Sequence, residues 1–182
     1  TYIYKRIYNA DKTFDLPVAS YIGRPDKAED YYERVRKLLI FYNAKCLHEN
    51  NVAGMKQYFE TVKSLRYLCG QPNIVNDIII DPTVKRTHGI CITIKMKNFL
   101  LETIRSWLLT EFAPNRYNVE KILDTNLLKE LLVYNTTDNF DRVIAFGLCL
   151  IQDLEMFRLK VKELSGTPEL GFGKSIFNYY GI

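Results

Sequence analysis

Apolar and polar positions alternate with a period of two at the start of the chain, Tyr2-Ile3-Tyr4-Lys5-Arg6-Ile7-Tyr8, where β-branched and aromatic residues dominate. Asn9-Ala10-Asp11-Lys12 then supplies turn chemistry, and residues 16–22 read as a second strand, so an antiparallel hairpin is predicted, closed by Gly23-Arg24-Pro25. The period then changes. Between Asp26 and Tyr42 the apolar positions Tyr31, Val35, Leu38, Leu39 and Tyr42 recur at three and four, with acids early and bases later, which suits a helix dipole. Residues 44–49 form a short predicted strand, after which Asn50-Asn51 end the ladder and cap a helix with Met55, Tyr58, Phe59, Val62 and Leu65 as its buried stripe.

Hairpin, helix, strand and helix in that order predict an α/β layered domain with a crossover onto a parallel strand. Further on, residues 73–81 and 87–95 read as extended around Asp81-Pro82-Thr83, and Lys95-Met96-Lys97 leads into a helix to about Phe112, broken by Ala113-Pro114-Asn115. A short helix over 126–134 and a long one from around Asn139 past Arg158 complete the pattern. Residues 1–164 read as one domain, and 165–182, with four glycines and little periodicity, as a C-terminal tail.

A chain of 182 residues buries roughly two thirds of its unfolded surface, enough for a core without covalent staples. Its 47% hydrophobic and 25% charged residues are ordinary globular usage. No apolar run approaches the roughly 20 residues of a membrane span, and the first dozen residues lack a secretory apolar core. Cys46, Cys69, Cys91 and Cys149 are widely spaced, without a Cys-x-x-Cys pair, and read as reduced thiols; Cys46 and His48 lack the second pair that would complete a zinc site. The net charge of +4 leans mildly towards polyanions.

Glu49 ends a strand, and in open α/β sheets ligands gather at that edge. Asp138 and Asp141 flank the start of the last long helix, and Ala145, one turn beyond Asp141, keeps that face small enough for close approach. Nucleases that use two divalent cations about 4 Å apart need such carboxylates, converging from distant positions. The same acids also serve a helix N-terminus or a solvated strand end, and the residues alone leave both uses open. His48 is expected to face away from Glu49, as neighbours on a strand do. Lys85, Arg86, Lys95 and Lys97 surround the predicted middle strands, as phosphate contacts or as solvated charge.

Tyr21-Ile22-Gly23-Arg24-Pro25, Tyr42-Asn43-Ala44, Glu49-Asn50-Asn51-Val52-Ala53-Gly54 and Tyr58-Phe59 resemble the nuclease domain of phage terminase large subunits. Leu127-Leu128-Lys129-Glu130-Leu131 followed by Asn139-Phe140-Asp141-Arg142-Val143-Ile144-Ala145 is similar to that family's last motif. Over residues 16–66 and 126–150, the resemblance implies a ribonuclease H-like mixed sheet flanked by helices. It also implies Mg²⁺ or Mn²⁺ held by Glu49 and Asp141, with Asp138 beside them, and cleavage of duplex DNA during genome packaging. An ATPase motor domain, a portal and a small subunit are the implied partners, in the host cytoplasm. The family's first metal-binding aspartate ends a strand ahead of the hairpin, so the resemblance implies a ligand upstream of Thr1.

Gly171-Phe172-Gly173-Lys174-Ser175 is similar to the end of a phosphate-binding loop, but Pro168 occupies the position of its first glycine and the match fails. Against the nuclease stands a different expectation, a non-catalytic DNA-binding or assembly-docking module whose acids are structural.

Overall fold

The alternating first segment forms strand β1 (Tyr2–Lys5), antiparallel to β2 (Leu16–Ser20), in a computed structural model that describes residues 1–6, 15–51, 54–76, 88–135 and 137–165, with side chains to residue 159. The register shifts between Ile3 and Tyr4, opposite Pro17, whose missing N–H suits an interrupted ladder. Helix α1 (Ala28–Phe41) carries Glu29 and Asp30 in its first turn and buries Val35 and Leu39. Helix α2 (Gly54–Thr61) buries Met55 and Phe59.

Between these helices residues 44–49 run extended. Cys46 bridges Leu68 and Glu49 bridges Ile90, both in parallel sense, while Gly70 meets His88 in antiparallel sense. The neighbour of this segment is therefore composite, residues 67–69 along its first half and Ile90 along its second. The two pieces are spliced at Gly89, which has φ +84 and whose added Cβ would lie 2.7 Å from the His48 carbonyl.

Successive residues of these extended segments enter different cores. Tyr2, Leu47, Cys69 and Ile90 join one, with α3 (Ile94–Leu108), α4 (Thr125–Val133) and α5 (Asp141–Ser165), while Ile3 and Leu68 join another with Val35, Leu39, Met55 and Phe59. The extended segments thus lie between α1 and α2 on one side and α3, α4 and α5 on the other, and the fold is mixed α/β. Gly147 lets α5 approach α3: a Cβ there would sit 2.3 Å from Leu100 Cγ. No helix among the described residues is long and apolar enough to cross a membrane.

Some expected elements differ. Residues 73–75, expected extended, form a 3₁₀ turn (Asn73–Val75), because the carboxylate of Glu155 on α5 accepts from the Asn73 amide group at 2.8 Å and from the Ile74 N–H at 3.1 Å. The helix expected to reach Phe112 stops at Leu108, and Phe112 lies in β3 (Glu111–Ala113), which pairs with β4 (Arg116–Tyr117) across a turn with Asn115 at φ 58. Leu65 leaves the α2 stripe for a 3₁₀ turn (Leu65–Tyr67). The turn at 9–12, the remainder of the expected strand to Asp81, and the tail beyond Ser165 lie outside the described residues.

Candidate active site

Glu49 is fixed by backbone pairing on both sides of it: the Ile90 N–H donates to the His48 carbonyl at 2.9 Å, and the Asn50 N–H donates to the Ile90 carbonyl at 2.8 Å. Its carboxylate is held in turn by Asn51, whose side-chain N–H donates to Oε1 at 2.6 Å. The Asn51 oxygen accepts the Ile92 N–H at 3.0 Å and the Cys91 thiol at 3.1 Å, so Asn51 ties Glu49 to the strand-to-helix connection that precedes α3.

Asp141 is the first residue of α5. Its position is set by its neighbour Arg142, whose guanidinium reaches Asp124 at 3.0 Å and Glu130 at 3.1 Å, and whose backbone N–H donates to Glu130 at 3.1 Å. Asp124 also caps α4, accepting from the Asn126 and Leu127 N–H groups, and takes a 2.5 Å bond from the Tyr2 hydroxyl. Burial pushes the Asp124 carboxyl up, but the Tyr2 hydroxyl, the two cap N–H groups and Arg142 outweigh it and hold it below the ordinary aspartate value. One ionic knot therefore joins β1, α4 and the start of α5.

Glu49 and Asp141 line the same cleft of about 460 Å³, with Tyr31, Asn51 and Ala145 among its other walls. Partial burial and then the negative charge of Asp141 raise the proton affinity of Glu49, and Lys97 opposes them. A carboxylate whose proton affinity is raised by a neighbouring acid marks a concentrated negative site that an added cation relieves. Among the described residues, no group of three or more His, Cys, Asp or Glu side chains is arranged to hold a metal ion.

Asp138 is not brought to the cleft. Its carboxylate accepts from the Asn135 side chain at 2.7 Å and its N–H donates to the Asn135 oxygen at 2.9 Å, an Asx turn that closes the exposed loop before α5. The expected grouping of Asp138 with Glu49 and Asp141 is corrected accordingly. Lys95 and Lys97 belong to the first turn of α3, where an extended segment was expected to reach Lys95; Lys97 acts on Glu49, and Lys95 is exposed. Lys85 and Arg86 lie outside the described residues.

His48, next to Glu49, is 5% exposed, and neither ring nitrogen has a partner among the described residues. Burial, with a smaller contribution from His88, pushes it down to about 4, so the ring is neutral at physiological pH and packs as an apolar plate against Gly89. Asn51 and Arg142 were missed by sequence reasoning. Asn51 stands two residues beyond Glu49 as an expected helix cap, whereas its oxygen is committed to Ile92, a partner that only tertiary structure reveals. No protein-family model, curated protein or solved structure matches the chain.

Proposed function

We propose that this chain is a metal-dependent endonuclease domain of the ribonuclease H-like kind found in phage terminase large subunits, cutting duplex DNA during genome packaging. The observation that carries this reading is the convergence of Glu49 and Asp141, from distant parts of the chain, on one cleft where the charge of Asp141 raises the proton affinity of Glu49. The two are hard oxygen donors, and Mg²⁺ characteristically takes one or two carboxylates and fills its octahedron with water and phosphate oxygens. The donor set therefore fits Mg²⁺ or Mn²⁺, with a second ion requiring a further carboxylate from outside the described residues. A bound divalent ion supplies Lewis acidity towards a phosphodiester and an activated water. In this reading Glu49 and Asp141 hold the ion, Asn51 orients the Glu49 carboxylate, and the Arg142 knot fixes the first turn of α5. Lys97 and Lys95 stand on the adjoining helix turn as phosphate contacts. An extended segment that ends in a carboxylate, between two layers of helices, accords with a ribonuclease H-like sheet.

The test is cleavage of supercoiled plasmid with Mg²⁺ or Mn²⁺. Glu49→Gln and Asp141→Asn should each abolish cutting while the protein still binds DNA. Equal cutting by wild type and both variants overturns the assignment. DNA binding that ignores the metal and both substitutions, with no cutting, favours the non-catalytic docking module, which the lack of a third ligand among the described residues also favours.

A further inference from the structure

Helices α1 and α2 end in the same way. The Ala44 N–H donates to the Leu39 carbonyl at 2.8 Å and the Asn43 N–H to that of Ile40 at 3.2 Å; after α2 the Ser64 N–H donates to the Phe59 carbonyl at 2.7 Å and the Lys63 N–H to that of Glu60 at 3.0 Å. Both are Schellman turns, with Asn43 at φ 47 and Lys63 at φ 52 in the left-handed position. Each turn delivers the chain into the parallel pairing around Cys46, whose N–H donates to the Tyr67 carbonyl at 2.7 Å and whose carbonyl accepts the Cys69 N–H at 2.8 Å. Parallel segments start at one edge, so the ends of both helices and the starts of both extended segments share it. That edge carries Phe41, Tyr42, Lys45, Lys63, Arg66 and Tyr67.

Phe41 is 80% exposed and stands edge-on to Tyr42, with ring centroids 4.9 Å apart. The Arg66 guanidinium lies over the Tyr67 ring, 4.9 Å from its centroid, and donates to its hydroxyl at 3.1 Å. Tyr42, Lys45, Arg66 and Tyr67 border the mouth of a groove of about 1270 Å³ that runs beside β1. Lys45, Lys63 and Arg66 are exposed, and no ion pair holds them among the described residues. Of the neighbouring acids, Asp153 is committed to Arg6, and Glu60 stands in the last turn of α2.

Cations near helix C-termini complement the helix dipole, which accounts for the charge and leaves the exposed rings unexplained. Lys63 goes further. In the left-handed position after a helix glycine fits without strain and lysine does not, so a cation stands where the backbone favours glycine. Rings that give a face to solvent between cations suit a ligand that alternates flat bases with phosphates. The chain's own segments outside the described residues are poor candidates for that anion: Asp77 and Asp81 are matched by Lys85 and Arg86, and Glu163 and Glu169 are outnumbered by Lys160, Lys162 and Lys174.

We infer that the edge formed by the ends of α1 and α2 binds single-stranded nucleic acid, with Phe41 as the base-stacking ring and Lys45, Lys63 and Arg66 as phosphate contacts. It lies about 13 Å from Glu49, four residues at about 3.3 Å each along the extended segment, and does not rest on the nuclease reading. The probe is a short fluorescent oligothymidylate added to the whole chain in EDTA, which keeps metal-dependent cutting out of the measurement, and followed by anisotropy across a salt series. Saturable binding is expected, tighter than to a duplex of the same length. Phe41→Ala, which removes a ring from solvent and none from the core, should weaken it about 10-fold, within the range for one stacked base. Lys63→Gly should lower the slope of log affinity against log salt by about 0.7, one phosphate contact on a single strand, while the urea midpoint stays level or rises, so that lost binding is not lost fold. Binding that both variants leave unchanged overturns the proposal. So does failure to bind the oligomer, or preferential binding of vesicles rich in phosphatidylserine, which would assign the edge to an anionic lipid surface.

Discussion

Asp141, the first residue of α5, acts on the protonation of Glu49 across the cleft that both line. Replacing Asp141 with Asn should move the Glu49 titration back towards the ordinary glutamate value, and Lys97→Met should move it further up. Carbon-detected NMR of the Glu49 carboxyl reads both. The sign for stability follows: a carboxyl raised by folding favours the protonated native state, so its contribution is present below the unfolded value and is lost as pH rises through the folded one. Asp141→Asn should therefore gain stability relative to wild type at neutral pH and lose that advantage in acid.

His48 gives the opposite slope. A histidine pushed down to about 4 by burial is neutral when folded, so the stability it contributes is present above about 6.5 and lost as pH falls towards 4. Urea midpoints measured between pH 4 and pH 7 should fall with acid in wild type and flatten in His48→Leu, whose side chain asks for no proton.

The knot at Arg142 should be felt by the whole domain. Arg142→Met keeps the aliphatic stem and removes the ion pairs to Asp124 and Glu130, leaving two partly buried carboxylates without their cation. A loss of about 2 kcal/mol is expected from urea denaturation, in line with the cost of removing a charged hydrogen-bond partner. Because Asp124 is held below its ordinary value, wild type should lose stability as pH falls through its folded value, and the variant should show less of that loss.

Gly147→Ala should destabilise by about 1–3 kcal/mol, the range for overpacking, since the new methyl meets Leu100. The double variant Gly147→Ala with Leu100→Ala should lose less than the sum of the two single losses, because the space vacated by Leu100 receives the methyl. Additive losses would mean that α3 and α5 adjust independently of this contact.

The hairpin, α1, α4 and α5 were legible because their periodicity is local: Val35 and Leu39, or Val143 and Leu148, state which face is buried without reference to anything distant. The pairing of Cys46 with Leu68 and of Glu49 with Ile90 was not, since a composite neighbour spliced at Gly89 leaves no repeating pattern in either piece. The β3–β4 hairpin escaped for another reason. Pro114-Asn115 reads equally as a helix stop and as a turn, and strands of three and two residues are too short to show alternation. In the site, Glu49 and Asp141 were legible as a strand end and a helix start. Asp138 looked equivalent to Asp141, and what separates them is the Asn135 side chain, which turns the loop before α5 begins.

Helix α5 borders both the groove beside β1 and the cleft of Glu49, and it holds Asp141 at its first residue. An α-helix advances 1.5 Å and turns about 100° per residue, so a slip of a single register position would swing Asp141 out of the cleft. The groove and the cleft consequently share one mechanical part. Because one helix carries Leu148, Cys149 and Asp141, a substitution that shifts α5 along the groove should also shift Asp141 relative to Glu49.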